Sequence, residues 1–592
     1  MPKGKKANQS LDDGEASARE QDTTKRVDGG ELVSRVLESQ GVKYLFAING
    51  GHTFPILATL REHGIKLIHM RHEQACAYAA DAYARTSGAP GVCSVTAGCG
   101  LTNAVTGLCG AGLAGSAVVC IAGQHPTTED QLGSFQEAYG SEICRTFSKF
   151  TKRVLDWSTI GVDLRQAFRE ATTPPQGPAL VEIPTNILYD SHDASEQRRG
   201  AKVYSPNDLR SAGDPAKIER ALELLQSAER PLIAAGDGIF WSGAARELGE
   251  FAELTSIPAY ARRTGQGAVP EDHPLAIRGV WKKPFTGRAD VVLAIGFRFW
   301  SGEKFGEPPT WSDEARYIQV DATPNRIGLH VPAELAIVGD PKLVLRQLIE
   351  ASKRLGLSWK KNADSKWLRE MGEVRANYER TIDETERKTH DQTPIHPDRL
   401  CRELCEVIDR DATVVIDSFT LSGWMTQWFR SRFPAQVVDA GPLAPVGHGV
   451  GMAIGAQLAR PGKQVVLVIG DGGLGIGGFD IETAVRYGLP IATVLWNNSS
   501  WGPGFEEMPL LKGRTDPFNM LENIRYDQMF SVFGCHTEHV ERPGDIRSAI
   551  ERALHSGKTS LVNVFGDKRI GHPRLGGNLL GSTQISGKRS SQ

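Results

Sequence analysis

Asp471 and Asn498 offer oxygen ligands for a hard cation. Asp471 lies in Gly470-Asp471-Gly472-Gly473, directly after the apolar run Val465–Ile469, and Asn498 closes the apolar run Ile491–Trp496. A carboxylate, a side-chain amide oxygen and nearby backbone carbonyls suit Mg²⁺ held jointly with phosphate oxygens. The glycines let backbone N–H groups approach a phosphate, and the helix after them presents its positive end. Between the two runs, Phe479, Ile481, Ala484 and Val485 recur at helical spacing, and Gly488-Leu489-Pro490 stops the helix. The unit reads β–α–β. Such a crossover makes the strands parallel, so both residues reach one edge of the sheet, where open α/β sheets bind ligands. Gly-Asp-Gly alone also fits a plain turn with an Asp N-cap; the asparagine pair ending the next strand argues against that.

Other groups can move protons or orient a substrate. Glu73 lies between a strand and a helix, a position that equally suits a carboxylate favouring a helix N-terminus. His52 follows a strand in Asn49-Gly50-Gly51-His52; a lone histidine is more often structural. After Asn498, the stretch Trp501-Gly502-Pro503-Gly504-Phe505-Glu506-Glu507 holds two glycines and a proline, which allow a turn back over the metal segment. An aromatic cover would raise either carboxylate towards the range of a general base, against the plain alternative of solvated loop charges.

The 592 residues exceed one hydrophobic core and predict about three domains. Apolar content of 40% and charged content of 23% are those of a soluble globular chain. A net charge of −2 excludes an electrostatic footprint for nucleic acid or an anionic membrane. Nine scattered cysteines without a CxxC pair read as reduced, buried small residues. No apolar run reaches membrane-spanning length and no secretory or peroxisomal signal is present, so a cytoplasmic location is expected.

Residues 1–27 read as a disordered tail. Residues 28–190 alternate strands (Tyr44–Ile48, Lys66–Met70, Val92–Thr96, Val118–Ala122) with helices (Glu73–Arg85, Leu101–Ala114). A polar linker over 191–213 leads to a second α/β unit, 214–350. Around its strand ends lie Arg262, Arg263, Lys282, Lys283, Arg288, Arg298 and Lys304, read as solvated charges with phosphate contacts open to a few. A charged helical connector, 351–395, precedes a third unit, 396–566, and residues 567–592 form a tail or a lid. The fold class is α/β: three doubly wound domains on parallel sheets.

Gly-Asp-Gly followed after 24 residues by Asn-Asn resembles the metal–diphosphate motif of thiamine diphosphate (ThDP) enzymes. The resemblance implies Asp471, Asn498 and the Ser500 carbonyl as Mg²⁺ ligands, with Gly470, Gly472, Gly473 and Trp501 in the cofactor-binding segment. His72-Glu73-Gln74, VTAGCGLTNAVTG and Gly123-Gln124 resemble the pyrimidine-binding domain of the same family, in which Glu73 would hydrogen-bond the aminopyrimidine. The family's TSGPG is TAGCG here. Asn49-Gly50-Gly51 matches its PGG loop with Asn49 at the proline, so Asn49 and Gly50 would line the cofactor and His52 would face the pocket. Ser422, in DSFTLSG, matches a diphosphate loop. Val446 matches the apolar support under the bent cofactor; it is smaller than usual, so Leu443 is expected to share that role. Gly133–Glu137 matches an AFQE stretch near the substrate, which implies that Gln136 orients substrate oxygens.

The central unit resembles a domain that binds FAD in some relatives, CoA or ADP in others and nothing in many. GIGGFDIETAVRYGLPI resembles the 2-hydroxyacyl-CoA lyases and oxalyl-CoA decarboxylases of the acetolactate synthase-like superfamily, although NNSSWGPGFEE replaces their NNGGIY-type segment. The resemblance implies a homodimer or homotetramer with active sites at subunit interfaces. It implies cleavage of a 2-hydroxyacyl-CoA to an aldehyde or ketone plus formyl-CoA, with neither nucleic acid nor membrane as partner. An acetolactate synthase-like carboligase and an oxalyl-CoA decarboxylase are the alternatives. A non-enzymatic scaffold would have lost Glu73, Asp471 or Asn498, and all three are present.

Overall fold

The computed structural model describes residues 26–198, 209–417, 419–502, 512–514, 516–522 and 524–571. Continuous runs of β-branched and aliphatic residues form three six-stranded sheets in which every pairing is parallel. The first holds β1 (Tyr44–Ala47), β2 (Lys66–His69), β3 (Gly91–Val95), β4 (Val118–Gln124), β5 (Phe150–Arg153) and β6 (Ala179–Pro184), in spatial order β2-β1-β3-β4-β6-β5. The second holds β7 (Pro231–Ala235), β8 (Ala259–Ala261), β9 (Ala276–Ile277), β10 (Val291–Ile295), β11 (Arg316–Asp321) and β12 (Leu335–Val338), in order β9-β8-β7-β10-β11-β12. The third holds β13 (Thr413–Asp417), β14 (Val437–Val438), β15 (Val465–Gly470), β16 (Ile491–Asn497), β17 (His536–Val540) and β18 (Ser560–Phe565), in order β14-β13-β15-β16-β18-β17. The outer two sheets therefore share one topology, and the central sheet has another.

Helices that matter for the site are α1 (Glu73–Ser87), α2 (Cys99–Ala114), the connector α3 (Lys366–Thr389), α4 (Phe419–Trp428), α5 (Gly449–Ala459), α6 (Asp471–Gly477) and α7 (Ile481–Arg486). Small residues bring α1 and α5 together backbone to backbone: a Cβ on Gly455 would lie 2.1 Å from the Ala79 carbonyl oxygen. One apolar cluster consequently runs through both outer sheets, from Phe46 and Ala80 to Met452 and Leu495.

Two stretches depart from the sequence reading. The helix after Gly470 begins at Asp471 rather than Phe479. Its glycines looked like a turn, but they serve packing: a Cβ on Gly477 would meet the Gly447 carbonyl oxygen at 2.2 Å. Arg26–Asp28, at the end of the presumed tail, pairs antiparallel with Ser191–Asp193, at the start of the presumed linker, because Val27 is buried there. The tail 1–25 and residues 572–592 lie outside the described residues.

Several central cations are spent on partners rather than solvated. Arg263 meets Asp439 of the third unit at 3.1 Å, and Lys282 is paired with the fully buried Glu303. Arg298 donates from Nε to Asp237 at 3.1 Å and from its terminal nitrogens to the carbonyls of Leu113 and Ala114, so it rivets the central sheet to the end of α2. Burial pushes the Asp237 carboxyl up, but Arg298 and Arg263 more than offset this and hold it below the usual range. Arg298→Met is expected to cost about 3 kcal/mol, the usual penalty for stripping one partner from a buried pair. Urea unfolding of the variant checks this, and an unchanged midpoint would refute it.

Candidate functional site

Strands β15 and β16 pair in register, Gly470 opposite Trp496, so Asp471 and the asparagines leave the sheet side by side. Asp471 is 2% exposed. Its Oδ1 accepts the Gly472 amide at 2.8 Å, whereas Oδ2 is buried with no hydrogen-bond partner. Burial pushes the carboxyl up to about 6, although the amides of Gly472, Ser499 and Ser500 pull it back. An unmet buried acceptor costs about 1–3 kcal/mol, a deficit that a cation at Oδ2 would cancel.

The two asparagines have different work. Asn497 donates to the Ile524 carbonyl and to Asn563, and so anchors the strand. Asn498 is 5% exposed and spends its Nδ2 on the Gly502 carbonyl, which leaves Oδ1 as the acceptor. Beyond it the chain turns at Ser499 (φ 54°) and runs antiparallel to residues 518–520, with Ser500 opposite Asn519. The Ser500 carbonyl accepts the Gly502 amide at 3.0 Å and keeps a second lone pair for a ligand. The Trp501 indole lies against Gly472, where an added Cβ would stand 2.7 Å from the ring. Glu506 and Glu507 lie outside the described residues. Among the described residues no three His, Cys, Asp or Glu side chains gather as a metal cluster. These oxygens thus suit Mg²⁺ shared with a diphosphate rather than a cage of protein ligands.

Asp417, at the end of β13, accepts the amides of Gly447 (3.1 Å) and Gly449 (2.7 Å) and so fixes the loop carrying Val446, which is 39% exposed. Leu443 sends its side chain towards α2, where its Cδ2 would lie 3.9 Å from a Cβ on Gly110. Ser422 lies one turn into α4, where its carbonyl takes the Thr426 hydroxyl.

On the first sheet, Glu73 begins α1 and its Oε2 accepts from Asn103 of α2 at 3.1 Å. Thr96, just beyond β3, gathers the other residues. Its side chain fills the spaces that a Cβ on Gly50 or Gly100 would need, and its Oγ1 lies 3.0 Å from His52 Nδ1. Gly98 (φ 55°) lets the turn touch the Gln136 backbone, and the Gln136 amide reaches Cys99 Sγ at 3.2 Å. Asn49 is tied to His69 at 2.8 Å, at the exposed end of the same group. His52, Glu73 and Gln136 therefore surround one turn. Thr96, Asn103 and Cys99 escaped the sequence reading; the TAGCG departure was the one signal pointing to them.

His52 is buried beneath the exposed Phe135, with ring centroids 6.3 Å apart and planes 10° from parallel. Burial, then the positive field of His125, lowers its pKa. His125 itself has both ring nitrogens occupied, at 2.6 Å from Gln124 Oε1 and 2.7 Å from Asp130 Oδ1. It braces the loop that carries Phe135 and Gln136.

The central sheet reverses its order between β7 and β10, and a cavity of about 340 Å³ lies at that switch point, lined by Asp237, Arg298, Asp321 and Arg326 among others. Burial, then the charge of Arg298, depresses the Arg326 guanidinium, and the carboxylates of Asp321 and Asp237 offset part of this.

Three successive stretches match the domains of thiamine pyrophosphate enzymes: the N-terminal TPP-binding domain over residues 27–143, the central domain over 218–348 and the C-terminal TPP-binding domain over 419–564. A probable acetolactate synthase of Mycobacterium bovis is 32% identical across 92% of this chain and 97% of its own length. The chain belongs to the thiamine pyrophosphate enzyme family. As a thiamine pyrophosphate enzyme it also aligns with human 2-hydroxyacyl-CoA lyase 1, at 27% identity over 91% of this chain and 94% of that protein. The 2-hydroxyacyl-CoA lyase of Arabidopsis thaliana is 28% identical over 93% and 97%. Among the described residues, no helix of this thiamine pyrophosphate enzyme is long and apolar enough to cross a membrane.

Proposed function

We propose that the chain is a ThDP- and Mg²⁺-dependent carbon–carbon lyase that cleaves a 2-hydroxyacyl-CoA to an aldehyde or ketone plus formyl-CoA. The observation that carries this reading is His52: a buried imidazole of lowered pKa, stacked under Phe135 and bonded to Thr96, placed to accept a hydroxyl proton. When bound, ThDP supplies a nucleophilic carbon and an electron sink for the broken bond. Asp471, Asn498 and the Ser500 carbonyl would hold Mg²⁺ jointly with the diphosphate, and Gly472 and Trp501 would belong to the cofactor-binding segment. Glu73 would hold a proton against the aminopyrimidine, Val446 would support the bend, and Gln136 would orient the thioester and hydroxyl oxygens. His52 is the proton acceptor at the 2-hydroxyl, with Glu506 and Glu507, a few positions after Trp501 in the sequence, as rivals. A panel of 2-hydroxyacyl-CoAs assayed for formyl-CoA tests the reading; no release from any chain length would sink it.

An acetolactate synthase-like carboligase is the second reading, favoured by the 32% identity to such a protein. It predicts acetolactate from pyruvate, and a flavin reaching into the switch-point cavity would give a yellow protein. A colourless protein that binds CoA speaks for the lyase.

We further propose that two copies complete each site. The Glu73 carboxylate bonds only to Asn103 among the described residues, and no contact links it to Asp471 of its own chain. Phe135 (77% exposed), Ile476 (52%) and Phe479 (56%) present apolar surface around the two half-sites. Mixed Glu73→Gln and Asp471→Ala subunits, each inactive alone, should then recover up to about a quarter of wild-type activity, since half the dimers are hybrid and one of their two sites is intact. A mixture that stays inactive, with subunit exchange verified, would place both residues in one chain's site.

A further inference from the structure

We propose that Thr96 is a positioning residue that presents His52 as the proton acceptor, with its Nε2 lone pair turned to the substrate. The inference rests on the lyase reading for its reaction, but its structural part stands alone. Gly123 leaves no room behind His52, because a Cβ there would lie 2.3 Å from the His52 Cβ, and Phe135 caps the ring in parallel. The ring is thus held edge-on, with Nδ1 towards Thr96 Oγ1 at 3.0 Å and Nε2 making no hydrogen bond among the described residues. An imidazole that donates Nδ1–H to a hydroxyl oxygen carries its lone pair on Nε2. Thr96 Oγ1 makes no other hydrogen bond among the described residues, so it is available as that acceptor.

The step balances. Nε2 takes the proton from the 2-hydroxyl, and the O–H pair becomes the second bond of the departing carbonyl. The C1–C2 bond breaks and its pair goes to the thioester carbon, where bound ThDP would supply the electron sink. The proton held on Nε2 then returns to that carbon, giving formyl-CoA with no external acid or oxidant. Thr96 Oγ1 faces Nδ1–H throughout and keeps the ring from flipping while its charge changes.

Thr96 also wedges its methyl and hydroxyl between Gly50 and Gly100, so a packing role must be told apart from a positioning one. Two variants do this in opposite directions. Thr96→Val keeps the shape and loses the hydroxyl; Thr96→Ser keeps the hydroxyl and loses the methyl. Positioning predicts that Val lowers kcat about 10-fold or more, within the range of general acid–base catalysis, with KM and ThDP affinity unchanged, while Ser stays near wild type. Packing alone predicts an impaired Ser variant and a healthy Val variant, and that pattern overturns the proposal.

The second readout is C2-hydrogen exchange of His52 followed by mass spectrometry across pH. Thr96→Val should move the His52 midpoint further down, because the hydroxyl oxygen favours the imidazolium. An unmoved midpoint refutes the Thr96–His52 link even if the protein cleaves no 2-hydroxyacyl-CoA. A moved midpoint in such a protein would leave the link standing and sink only the lyase reading.

Discussion

Glu73→Gln is expected to lower kcat by about 10²-fold or more while Mg²⁺-dependent ThDP binding persists. The amide matches the carboxyl in shape and can still meet Asn103, whose Nδ2 now bonds Oε2 at 3.1 Å. What it cannot do is exchange a proton with the aminopyrimidine that Glu73 is proposed to face, and each turnover under the proposed chemistry needs that exchange. Glu73 is also placed for precision: it begins a buried helix, beside the turn at Gly100, so a new orientation is not freely available. Steady-state kinetics and calorimetry on the same preparation give the answer. Retention of more than about a tenth of kcat would show that the proton comes from elsewhere, since general acid–base contributions are rarely so small.

Asp471→Asn should do two opposite things. Binding of Mg²⁺ and ThDP should fall by at least about 10²-fold, because the one carboxylate of the proposed ligand set is lost. The metal-free protein should nevertheless become more stable at neutral pH. Burial places the Asp471 carboxyl at about 6 in the folded chain, against an ordinary 3.8. Its charged form is therefore penalised by folding. That cost is fully present above pH 6 and disappears below the unfolded value. Removing it is worth about 3 kcal/mol at pH 8, and the gap between variant and parent should close towards pH 4. Denaturant titrations at the two pH values, without metal, check the sign. An apo variant less stable than its parent at pH 8 would show that Asp471 is a structural cap rather than a strained ligand.

That Asp471 and Asn498 leave one sheet edge was legible in the sequence because it depends on local order: an apolar strand, a glycine turn and a second apolar strand ending in asparagine specify that edge wherever the rest of the chain goes. The same logic located Glu73. The helix start at Asp471 was not legible, because five glycines between residues 472 and 478 suit a turn by propensity, and only tertiary contacts such as Gly477 on Gly447 select the helix. Nothing local to Leu443 says that its side chain reaches α2 at Gly110, more than three hundred positions earlier. The central arginines were misread for a related reason: Arg298 finds its acceptors at Leu113 and Ala114, far back in the sequence. Thr96 was overlooked because threonine after a strand is ordinary until the glycines around it are seen to make room for it.

The backbone contact between Gly455 and Ala79 also bears on how the chain is made. Helix α1 emerges from the ribosome early, and its small-residue face finds α5 only after hundreds of further residues have followed. Until then Ala75, Tyr78 and Ala79 have no apolar neighbour from the third sheet, and the first unit carries an uncovered stripe. The central unit, whose strands pair only with one another, can close meanwhile. Completion of the first unit thus waits on the last, which makes the nascent protein dependent on its own C-terminal third, and a chain truncated before Gly449 a natural client for chaperones.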